Sequence, residues 1–259
     1  MAISALRKVL ITGAARRIGA AVAEALALDG WHVAIHYNRS STDAANLVAR
    51  IHEAGGVCDT FQADFSSRSE IFSLFDRVTD RLGSLHCLIN NAGTFVYDNI
   101  NTLTAESLDH HLQTNLIAPL LLSQRFCHHV PPGEDACIIN MLDQKVANPN
   151  PDFLSYTVSK FALFKVTETL ATALLGNVRV CGIAPGITLI SGKQTEESFR
   201  KSWSATPFRR SSTPEEIVAA VRFILSAPSL TGQIIFIDGG ESLRPRPRDV
   251  AFDPTVQGR

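Results

Sequence analysis

The chain has 259 residues, of which 45% are hydrophobic and 19% are charged, as expected of one globular domain with a full hydrophobic core. Its formal net charge of −1 excludes a general electrostatic attraction to nucleic acid or to an anionic membrane, so we expect a small-molecule partner. No apolar run approaches the ~18 residues that a membrane span requires, and residues 1–8 lack the apolar core of a signal peptide, which predicts a cytoplasmic protein.

Cysteine and histidine spacing gives no sign of a disulfide framework or a metal site. The cysteines are odd in number, widely separated and mostly within apolar stretches, which predicts reduced core thiols at Cys58, Cys87, Cys127, Cys137 and Cys181. The histidines at 110–111 and 128–129 are adjacent pairs, whose side chains point in different directions on a helix. Metal ligands normally converge on one point, and we therefore expect no metal ion.

Apolar runs alternate with amphipathic segments along the first half of the chain. The runs predict strands at residues 8–12, 33–35, 57–63 and 85–89. The amphipathic segments predict helices at residues 16–29, 42–54 and 67–82, the second of them opened by a cap at Ser41 or Thr42. This alternation is typical of an α/β domain.

Two glycine-containing turns follow buried strands. The first is T-G-A-A-R-R-I-G at residues 12–19, and the second is N-N-A-G at residues 90–93. A glycine turn between a strand and a helix lets the backbone approach a pyrophosphate, and the helix N-terminus adds N–H donors. The two turns predict a dinucleotide site.

The end of the second strand bears on the choice of dinucleotide. Enzymes that prefer NAD usually place Asp or Glu here to bind the ribose hydroxyls, but residues 36–40 read H-Y-N-R-S, with no acid. Arg39 can pair with a phosphate and Ser40 can donate to it, which favours NADP(H). The alternative interpretation of Arg39 is a solvated loop side chain.

The second half of the chain predicts helices at residues 105–127 and 153–175 and strands at residues 136–141, 178–183 and 233–237. A further helix starts at residues 213–216, T-P-E-E, where proline occupies the first turn and acids lie near the positive end of the dipole. Residues 187–207 hold few strong patterns and are predicted to form a flexible lid over the substrate.

The chain is predicted to divide into one domain, residues 1–243, and a C-terminal tail. Alternating prolines at residues 244–248 exclude a helix there, so residues 244–259 are expected to be extended or disordered.

Tyr156 and Lys160 stand one turn apart on the helix predicted at residues 153–175. An ammonium group beside a phenol favours the phenolate, which makes Tyr156 a candidate proton donor near neutral pH. The alternative is a surface tyrosine and a solvated lysine. Asp143 lies at the C-terminal end of the strand 136–141, where open parallel sheets place their ligands. Burial of its carboxyl group would raise its pKa.

The two glycine turns and the Y-x-x-x-K pair, in this order and at these separations, resemble the short-chain dehydrogenase/reductase family across almost the whole chain. The resemblance implies a Rossmann-type, doubly wound sheet of seven parallel strands in the order 3-2-1-4-5-6-7, flanked by helices. Arg17 replaces the second glycine of the usual T-G-x-x-x-G-x-G motif, and Asp143 replaces the usual serine. Both departures are similar to the pteridine reductase branch, which includes dihydromonapterin and dihydrofolate reductases.

The resemblance assigns a role to each residue of the predicted site. The residues implied in catalysis are Asp143, Tyr156, Lys160 and Asn115, the last through a water held by its backbone. The residues implied in cofactor binding are Gly13, Arg16, Arg17, Ile18, Gly19, Tyr37, Asn38, Arg39, Ser40, Asp64, Asn91, Ala92, Gly93, Met141, Tyr156, Lys160, Pro185 and Gly186. The residues implied in substrate binding are Arg17, Phe95, Asp143 and Tyr156.

Three of these assignments carry an alternative or a departure. The Phe95 ring would stack on a pterin, unless it is an ordinary core side chain. Asp64 would contact the adenine amino group, or cap the helix at residues 67–82, or do both. Gly93 stands where the branch often has serine, so a hydroxyl contact to the ligand would be absent.

The resemblance implies an NADPH-dependent reductase that transfers hydride to a C=N bond of a dihydropterin or dihydrofolate. Asp143 and Tyr156 would relay the proton, and Lys160 would lower the pKa of Tyr156. The nearest alternative is a carbonyl reductase of the same family, in which Ser155 or water polarises a ketone. A more distant alternative is an NADP-binding protein without turnover.

Assembly is expected to be homotetrameric, from the family likeness and from the long apolar faces of residues 103–127 and 153–175. The resemblance also allows Arg244 or Arg246 of the tail to reach a neighbour's active site, with a solvated tail as the alternative.

Overall fold

Seven parallel strands form one sheet in the computed structural model, which describes residues 6–192 and 194–258. The strands are β1 (Lys8–Ile11), β2 (His32–Tyr37), β3 (Val57–Gln62), β4 (Cys87–Asn90), β5 (Ala136–Met141), β6 (Val178–Pro185) and β7 (Ile234–Ile237). Their order is β3-β2-β1-β4-β5-β6-β7, which confirms the predicted doubly wound arrangement. The sequence-based expectation about a leader concerns residues 1–8, of which residues 1–5 lie outside the described chain.

Nine helices of the described chain pack on the two faces of this sheet or follow it. They are α1 (Arg17–Leu28), α2 (Ser41–Glu53), α3 (Arg68–Leu82), α4 (Ala105–Leu112), α5 (Ala118–His129), α6 (Leu154–Ala173), α7 (Glu196–Ser204), α8 (Pro214–Ser226) and α9 (Pro254–Gln257). One core lies under α1, α2 and α8, and the other lies under α3, α5 and α6. Successive strand residues enter opposite cores, as Val9 and Leu10 do, which is why the strands read as continuous apolar runs.

Buried cysteines contribute to these cores. All five cysteines are free thiols, and all but Cys127 are buried. Burial raises the pKa of the Cys137 thiol to about 12, so this side chain behaves as a small apolar group.

Two helix starts differ from the sequence-based predictions. The cap position of α2 is Ser40, with no side-chain cap hydrogen bond, instead of Ser41 or Thr42. At α3 the cap is Ser67, whose hydroxyl accepts from the backbone N–H of Glu70, so Asp64 is not the cap. The Asp64 carboxylate accepts instead from the backbone N–H of Ser66, two residues on. Neighbouring Ser, Thr and Asp residues can all cap, and only the backbone path selects among them.

The helix predicted at residues 105–127 is a longer run with a distortion inside it. Between α4 and α5, residues Gln113–Ile117 form one π-turn, and Asn115 lies at its centre, fully buried. Such turns are frequently found at functional sites.

The segment predicted as a lid, residues 187–207, contains the ordered helix α7, whose first turn is capped by Thr195. Residue 193 lies outside the described chain. Within the described residues, no helix is long and apolar enough to cross a membrane.

The C-terminal tail folds back onto its own chain, which differs from the expectation of an extended or disordered segment. Arg248 donates through two nitrogens to the Asp152 carboxylate, each at 2.7 Å. Phe252 packs against the Tyr97 ring at a centroid distance of 4.8 Å, and α9 follows. The prolines exclude a helix only over residues 244–248, whereas the docking depends on partners about a hundred residues away in sequence.

Candidate active site

A cleft of about 630 Å³ opens at the C-terminal edge of the sheet, where the loops after β1, β2, β3, β4, β5 and β6 meet. This volume is within the range of small-molecule and cofactor sites. Its lining contains all the predicted cofactor-binding residues except Gly186, namely Gly13, Arg16, Arg17, Ile18, Gly19, Tyr37, Asn38, Arg39, Ser40, Asp64, Asn91, Ala92, Gly93, Met141, Tyr156, Lys160 and Pro185. It also contains residues that the sequence interpretation missed, among them Phe65, Thr94, His110 and Thr114.

Gly186 lies outside the cleft lining and serves close packing. Its backbone N–H donates to the Ile237 carbonyl at 2.9 Å, and a Cβ at this position would lie 2.7 Å from the Cα of Asp238. The sequence cannot distinguish a glycine required by packing from one required by a ligand. A contact of Gly186 with the cofactor stays a prediction.

The two glycine turns are packed against each other beside the start of α1. A Cβ at Gly13, where φ is +62°, would lie 2.8 Å from the Cα of Ala92, and one at Gly19 would lie 2.5 Å from Nδ2 of Asn91. The Asn91 amide donates to the carbonyls of Thr12 and Gly13 at 2.9 and 3.0 Å. The first turn of α1 holds no acidic residue, so its N-terminus can accept an anion from the cleft.

Arg17 ties the first glycine turn to the segment after β6. Its φ is 57°, in the left-handed region where glycine costs nothing and other residues cost ~1–2 kcal/mol. The guanidinium donates to the carbonyl oxygens of Ile190 at 2.5 Å and Leu189 at 3.4 Å. Arg17 therefore lines the cleft as predicted. Its guanidinium N–H groups, which the prediction assigned to cofactor phosphates and a pterin ring, are already hydrogen-bonded to two backbone carbonyl groups.

His36 supports the glycine turn from β2, a role that the sequence interpretation did not identify. Its Nδ1 accepts from the Gly13 backbone N–H at 3.0 Å, so Nε2 carries the proton and donates to the Ala63 carbonyl at 3.1 Å. The ring stacks on Phe65 at a centroid distance of 4.3 Å. Burial lowers the pKa of His36 to about 4, so the ring is neutral at physiological pH.

The buried, neutral His36 predicts acid sensitivity of the fold. The folded-state pKa of about 4 lies below the unfolded value of 6.5, so between these pH values the unfolded chain binds a proton that the folded chain does not. The stability that the neutral His36 contributes is therefore full above about pH 6.5 and declines as the pH falls toward 4, by about 3 kcal/mol at 1.36 kcal/mol per pKa unit. Urea unfolding at each pH should show this decline as the difference between the wild type and His36→Asn.

The matched control for this measurement is His128→Asn, which changes an exposed histidine far from the cleft. Its unfolding free energy should decline with pH as the wild type's does. An unchanged decline in His36→Asn would contradict the assignment.

Polar side chains meet at the end of β2 and the end of β3. Arg39 and Asn38 are exposed at the cleft, and within the described chain Arg39 makes no ion pair. The Ser40 hydroxyl is not used as a helix cap. Hydrogen bonds from Ser66 and the charge of Arg39 hold the pKa of Asp64 below its usual value, so this carboxylate is ionised. The ends of β2 and β3 thus offer a ligand the Arg39 guanidinium, the Ser40 hydroxyl and the Asp64 carboxylate.

Asp143, Tyr156 and Lys160 converge at the ends of β5 and α6. The Tyr156 hydroxyl donates to Oδ2 of Asp143 at 2.7 Å, and the Lys145 backbone N–H donates to Oδ1 at 2.8 Å. The Lys160 ammonium donates to the Met141 carbonyl at 2.7 Å and lies 5.9 Å from the Tyr156 ring centroid. The alternative of a surface tyrosine and a solvated lysine is wrong, because both side chains are buried.

The pKa of Tyr156 moves in the opposite direction to the prediction. Burial, together with the negative charge and the hydrogen bond of Asp143, raises the Tyr156 pKa well above 10, although Lys160 was expected to lower it. Burial lowers the Lys160 pKa to about 8 and raises the pKa of Asp143. The site therefore holds a neutral phenol beside a carboxyl group that binds its proton more tightly than a solvated aspartate.

Asn115 links the second glycine turn to α6 through its side chain. The amide oxygen accepts from the Thr94 backbone N–H at 2.8 Å, and the amide nitrogen donates to the Thr94 carbonyl and to Oγ of Ser159. A water held by its backbone stays a prediction. Nearby, a Cβ at Gly93 would have only Oδ1 of Asn115 at 3.4 Å and Nζ of Lys160 at 3.9 Å as neighbours, so the site has room for the serine of the related branch.

Phe95 is part of an aromatic cluster at the mouth of the cleft. Its ring stacks on Phe153 at 4.1 Å and meets the Tyr156 ring edge-on at 4.7 Å, while 44% of the residue stays exposed. The alternative of an ordinary core phenylalanine is therefore wrong. Tyr97 and Phe252 complete the cluster on the far side of Phe153.

Ser155 lies away from the reacting groups. It is fully buried, and its hydroxyl and backbone N–H both donate to the carboxylate of Asp98. A role for Ser155 in polarising a ketone, which the carbonyl reductase alternative invoked, is thus excluded by its position.

The comparisons with known proteins agree with this geometry. A family model described as Enoyl-(Acyl carrier protein) reductase matches residues 13–242. FolM alternative dihydrofolate reductase 1 from Brucella canis, complexed with NADP, is 39% identical in a structural match that covers 94% of this chain and 96% of that chain, with a TM-score of 0.89. The angucycline C-6 ketoreductase LanV with bound NADP is 29% identical, covers 92% and 96% of the two chains and has a TM-score of 0.85.

A curated relative of similar sequence is also a reductase by name. Pteridine reductase 1 from Leishmania tarentolae is 31% identical over 90% of this chain and 96% of its own length. Because the family model covers most of the chain and the relatives match over nearly their full lengths, the chain belongs to the short-chain dehydrogenase/reductase family and is an oxidoreductase.

Proposed function

We propose that the protein reduces a dihydropterin or dihydrofolate at a ring C=N bond, with NADPH as the cofactor. The observation that carries the proposal is the 2.7 Å hydrogen bond between the Tyr156 hydroxyl and Asp143, in a position where the family usually has a serine. Reduction of a ketone and reduction of a ring C=N bond each consume one hydride and one proton, but a protonated Asp143 would donate a proton far more readily than the serine hydroxyl that it replaces. A carboxylic acid is suited to supply that proton.

NADPH fits the residues of the cleft. The two packed glycine turns and the acid-free start of α1 would hold the pyrophosphate, and Arg39 with Ser40 would hold the 2′-phosphate. Asp64 would accept from the adenine amino group. Lys160, buried beside the cleft, would bind the nicotinamide ribose. Bound NADPH supplies the hydride.

The proton passes through side chains of this chain. In the proposed relay the proton behind Tyr156 is carried by Asp143, whose pKa is raised by burial and whose Oδ2 is hydrogen-bonded to the Tyr156 hydroxyl. Tyr156 can then donate its own phenolic proton to the substrate nitrogen while it takes one from Asp143, so no buried phenolate has to form. Asn115 would hold the nearby turn at Thr94 in place and, through its backbone, a water that returns protons to Lys160.

The substrate ring would lie at Phe95. One face of this ring is covered by Phe153, and the exposed remainder offers a flat apolar surface to a heteroaromatic ring. Pteridine reductase 1 from Leishmania tarentolae and the FolM enzyme are relatives whose names fit this substrate class. Arg17 would reach the substrate only after giving up its carbonyl partners.

A second candidate is reduction of a ketone, favoured by the likeness to the ketoreductase LanV. The cofactor site would be unchanged, and water or Tyr156 alone would polarise the carbonyl, since Ser155 is bonded to Asp98. A protein that binds NADP without turnover is less consistent with a site that contains Asp143, Tyr156 and Lys160 together.

The test is the oxidation of NADPH, followed by its absorbance, with dihydrobiopterin, dihydromonapterin, dihydrofolate and a set of simple ketones. We expect turnover with at least one of the pteridines and much weaker turnover with the ketones. Tyr156→Phe, which keeps the fold and the cleft, should abolish most of that turnover. Turnover restricted to ketones would overturn the substrate proposal, and NADPH binding without any turnover would favour the non-catalytic alternative.

The proposed assembly is a homotetramer. Support comes from the family and from apolar side chains that stay exposed on α6 or just outside the ends of α4 and α6, such as Val158, Leu103 and Leu175. Light scattering should give about four times the 28.1 kDa chain mass, and a monomer at micromolar concentration would refute it.

A further inference from the structure

Lys145 is a buried ammonium group that the proposed reaction does not use. Only 3% of its side chain is exposed, and its Nζ lies 5.3 Å from the Phe153 ring centroid. A buried charge is tolerated when it is paired and hydrogen-bonded. The partner is Asp249 of the C-terminal tail, whose Oδ2 accepts from Nζ at 2.7 Å.

This ion pair borders the proton-donating groups. The Lys145 backbone N–H donates to Oδ1 of Asp143, and Oδ2 of the same carboxyl group accepts from Tyr156. Lys145 thus stands between Asp143 and the tail. Its positive charge favours the ionised form of Asp143, and the negative charge of Asp249 opposes ionisation of Tyr156.

Asp249 is held in position by Asp152, two residues before α6, the helix that carries Tyr156. Its backbone N–H donates to Oδ2 of Asp152 at 2.8 Å. The guanidinium of the neighbouring Arg248 donates two hydrogen bonds to the same carboxylate. Asp152 is 1% exposed and lies just before the first turn of α6. The tail is therefore joined to the segment before α6 beside the Lys145 ammonium.

Resting on the proposed function, we propose that Asp249 is a positioning residue: it neutralises Lys145 and so keeps Asp143 able to hold the proton that it donates at neutral pH. Without the negative charge of Asp249, the positive charge of Lys145 would act on Asp143 without compensation and favour its ionised, non-donating form. The tail would in this way be part of the proton supply.

Other charged groups face the same cluster and have to be accounted for. Lys160 on α6 also favours the ionised form of Asp143. Glu241, after β7, is buried with its pKa raised to about 8, chiefly by burial and then by Asp143 and Asp249, so it is mostly neutral near pH 7. Arg246 is paired with Asp253 at 3.2 Å. The variants of Lys145 and Asp249 proposed below leave all of these residues unsubstituted, so differences among those variants report on Lys145 and Asp249.

The test is a two-residue cycle. Asp249→Asn leaves the ammonium unpaired, so the alkaline limb of the pH profile of kcat/KM should move to lower pH by about one unit. Lys145→Met leaves the carboxylate unpaired, and the limb should move to higher pH by a similar amount. The double variant Lys145→Met/Asp249→Asn removes both charges, and its limb should return close to that of the wild type.

A spectroscopic readout makes the outcome independent of turnover. The infrared carbonyl band of protonated Asp143 is identified by its absence in Asp143→Asn. In the NADPH-bound protein, the pH at which this band disappears should fall in Asp249→Asn, rise in Lys145→Met and return close to the wild-type value in the double variant. If no dihydropterin is turned over but the band shifts as expected, the proposed function fails and the positioning role stands.

The control is Asp253→Asn, the same substitution four residues further along the tail. Asp253 pairs with Arg246 and caps α9, so its loss tests docking of the tail without changing the charge beside Lys145. No shift of the limb is expected. Shifts of the same sign in both single variants, no shift in either, or an equal shift in Asp253→Asn would overturn the proposal.

Discussion

Asp143→Ser is expected to lower dihydropterin turnover by about a hundredfold or more while NADPH binding stays intact. General acid catalysis contributes ~10²–10⁴-fold to rate, and a serine hydroxyl is too weak an acid to supply the proton that the carboxyl group holds. The cleft that would hold the cofactor contains neither oxygen of Asp143 in its lining, so the loss should fall on kcat. Turnover of a dihydropterin and of a ketone at saturating NADPH is the measurement.

The proposed relay predicts that the losses of turnover caused by substituting Asp143 and by substituting Tyr156 do not add. Tyr156→Phe should be about as damaging as Asp143→Ser, and the double variant should be little worse than either, because both side chains serve one hydrogen-bonded pathway. Losses that multiply would indicate two independent roles.

Asp76→Ser is the matched control for this series. It makes the same substitution at an exposed position on α3, where the carboxylate lies 3.7 Å from Arg125, and should leave both activities unchanged. The ketone alternative predicts the opposite pattern for Asp143→Ser, with ketone reduction unharmed or improved. Unchanged dihydropterin reduction in Asp143→Ser would remove the aspartate from the mechanism and take the substrate assignment with it.

Arg39→Asp is expected to weaken NADPH binding by about a hundredfold and to leave NADH binding much less affected. A charge-assisted hydrogen bond is worth ~1.5–3 kcal/mol, and the new carboxylate would also repel the 2′-phosphate. Arg39 is exposed at the cleft and makes no ion pair with the rest of the described chain, so its loss should cost little stability. Fluorescence titration with both cofactors measures the two dissociation constants.

Arg50→Asp provides the control for charge. It lies on α2, outside the cleft, where it pairs with Glu24 at 3.1 Å, and the substitution changes the net charge by the same amount. Its NADPH affinity should match the wild type's. Comparable use of NADH and NADPH by the wild type, or equal losses for both cofactors in Arg39→Asp, would contradict the phosphate contact.

Much of the fold follows from local patterns. The strands β1, β4 and β5 are buried on both faces, and such strands read as unbroken apolar runs that can be located within a residue or two. The helix start predicted from T-P-E-E is confirmed, and the structure adds a reciprocal cap between Thr213 and Glu216, whose positions are only three residues apart. The cleft residues also follow from sequence, since the carboxyl ends of parallel strands meet at one edge.

What the sequence could not show depends on partners that are distant along the chain. The pKa of Tyr156 was predicted to be lowered, on the evidence of Lys160 alone, which lies one helical turn away. Burial and Asp143, which follows β5, instead raise this pKa. The role of His36 requires the Gly13 turn on one side and Ala63 on the other.

The residues alone determined an α/β sheet with a dinucleotide cleft, and with them the place of Asp143, Tyr156 and Lys160 at its edge. Only the tertiary structure decided the protonation of those groups and the path of the tail. Proline pattern excludes a helix at residues 244–248, but it cannot say where an irregular segment docks. The Arg248–Asp152 and Lys145–Asp249 pairs join residues about a hundred positions apart, and such contacts depend on the finished fold and not on any local periodicity.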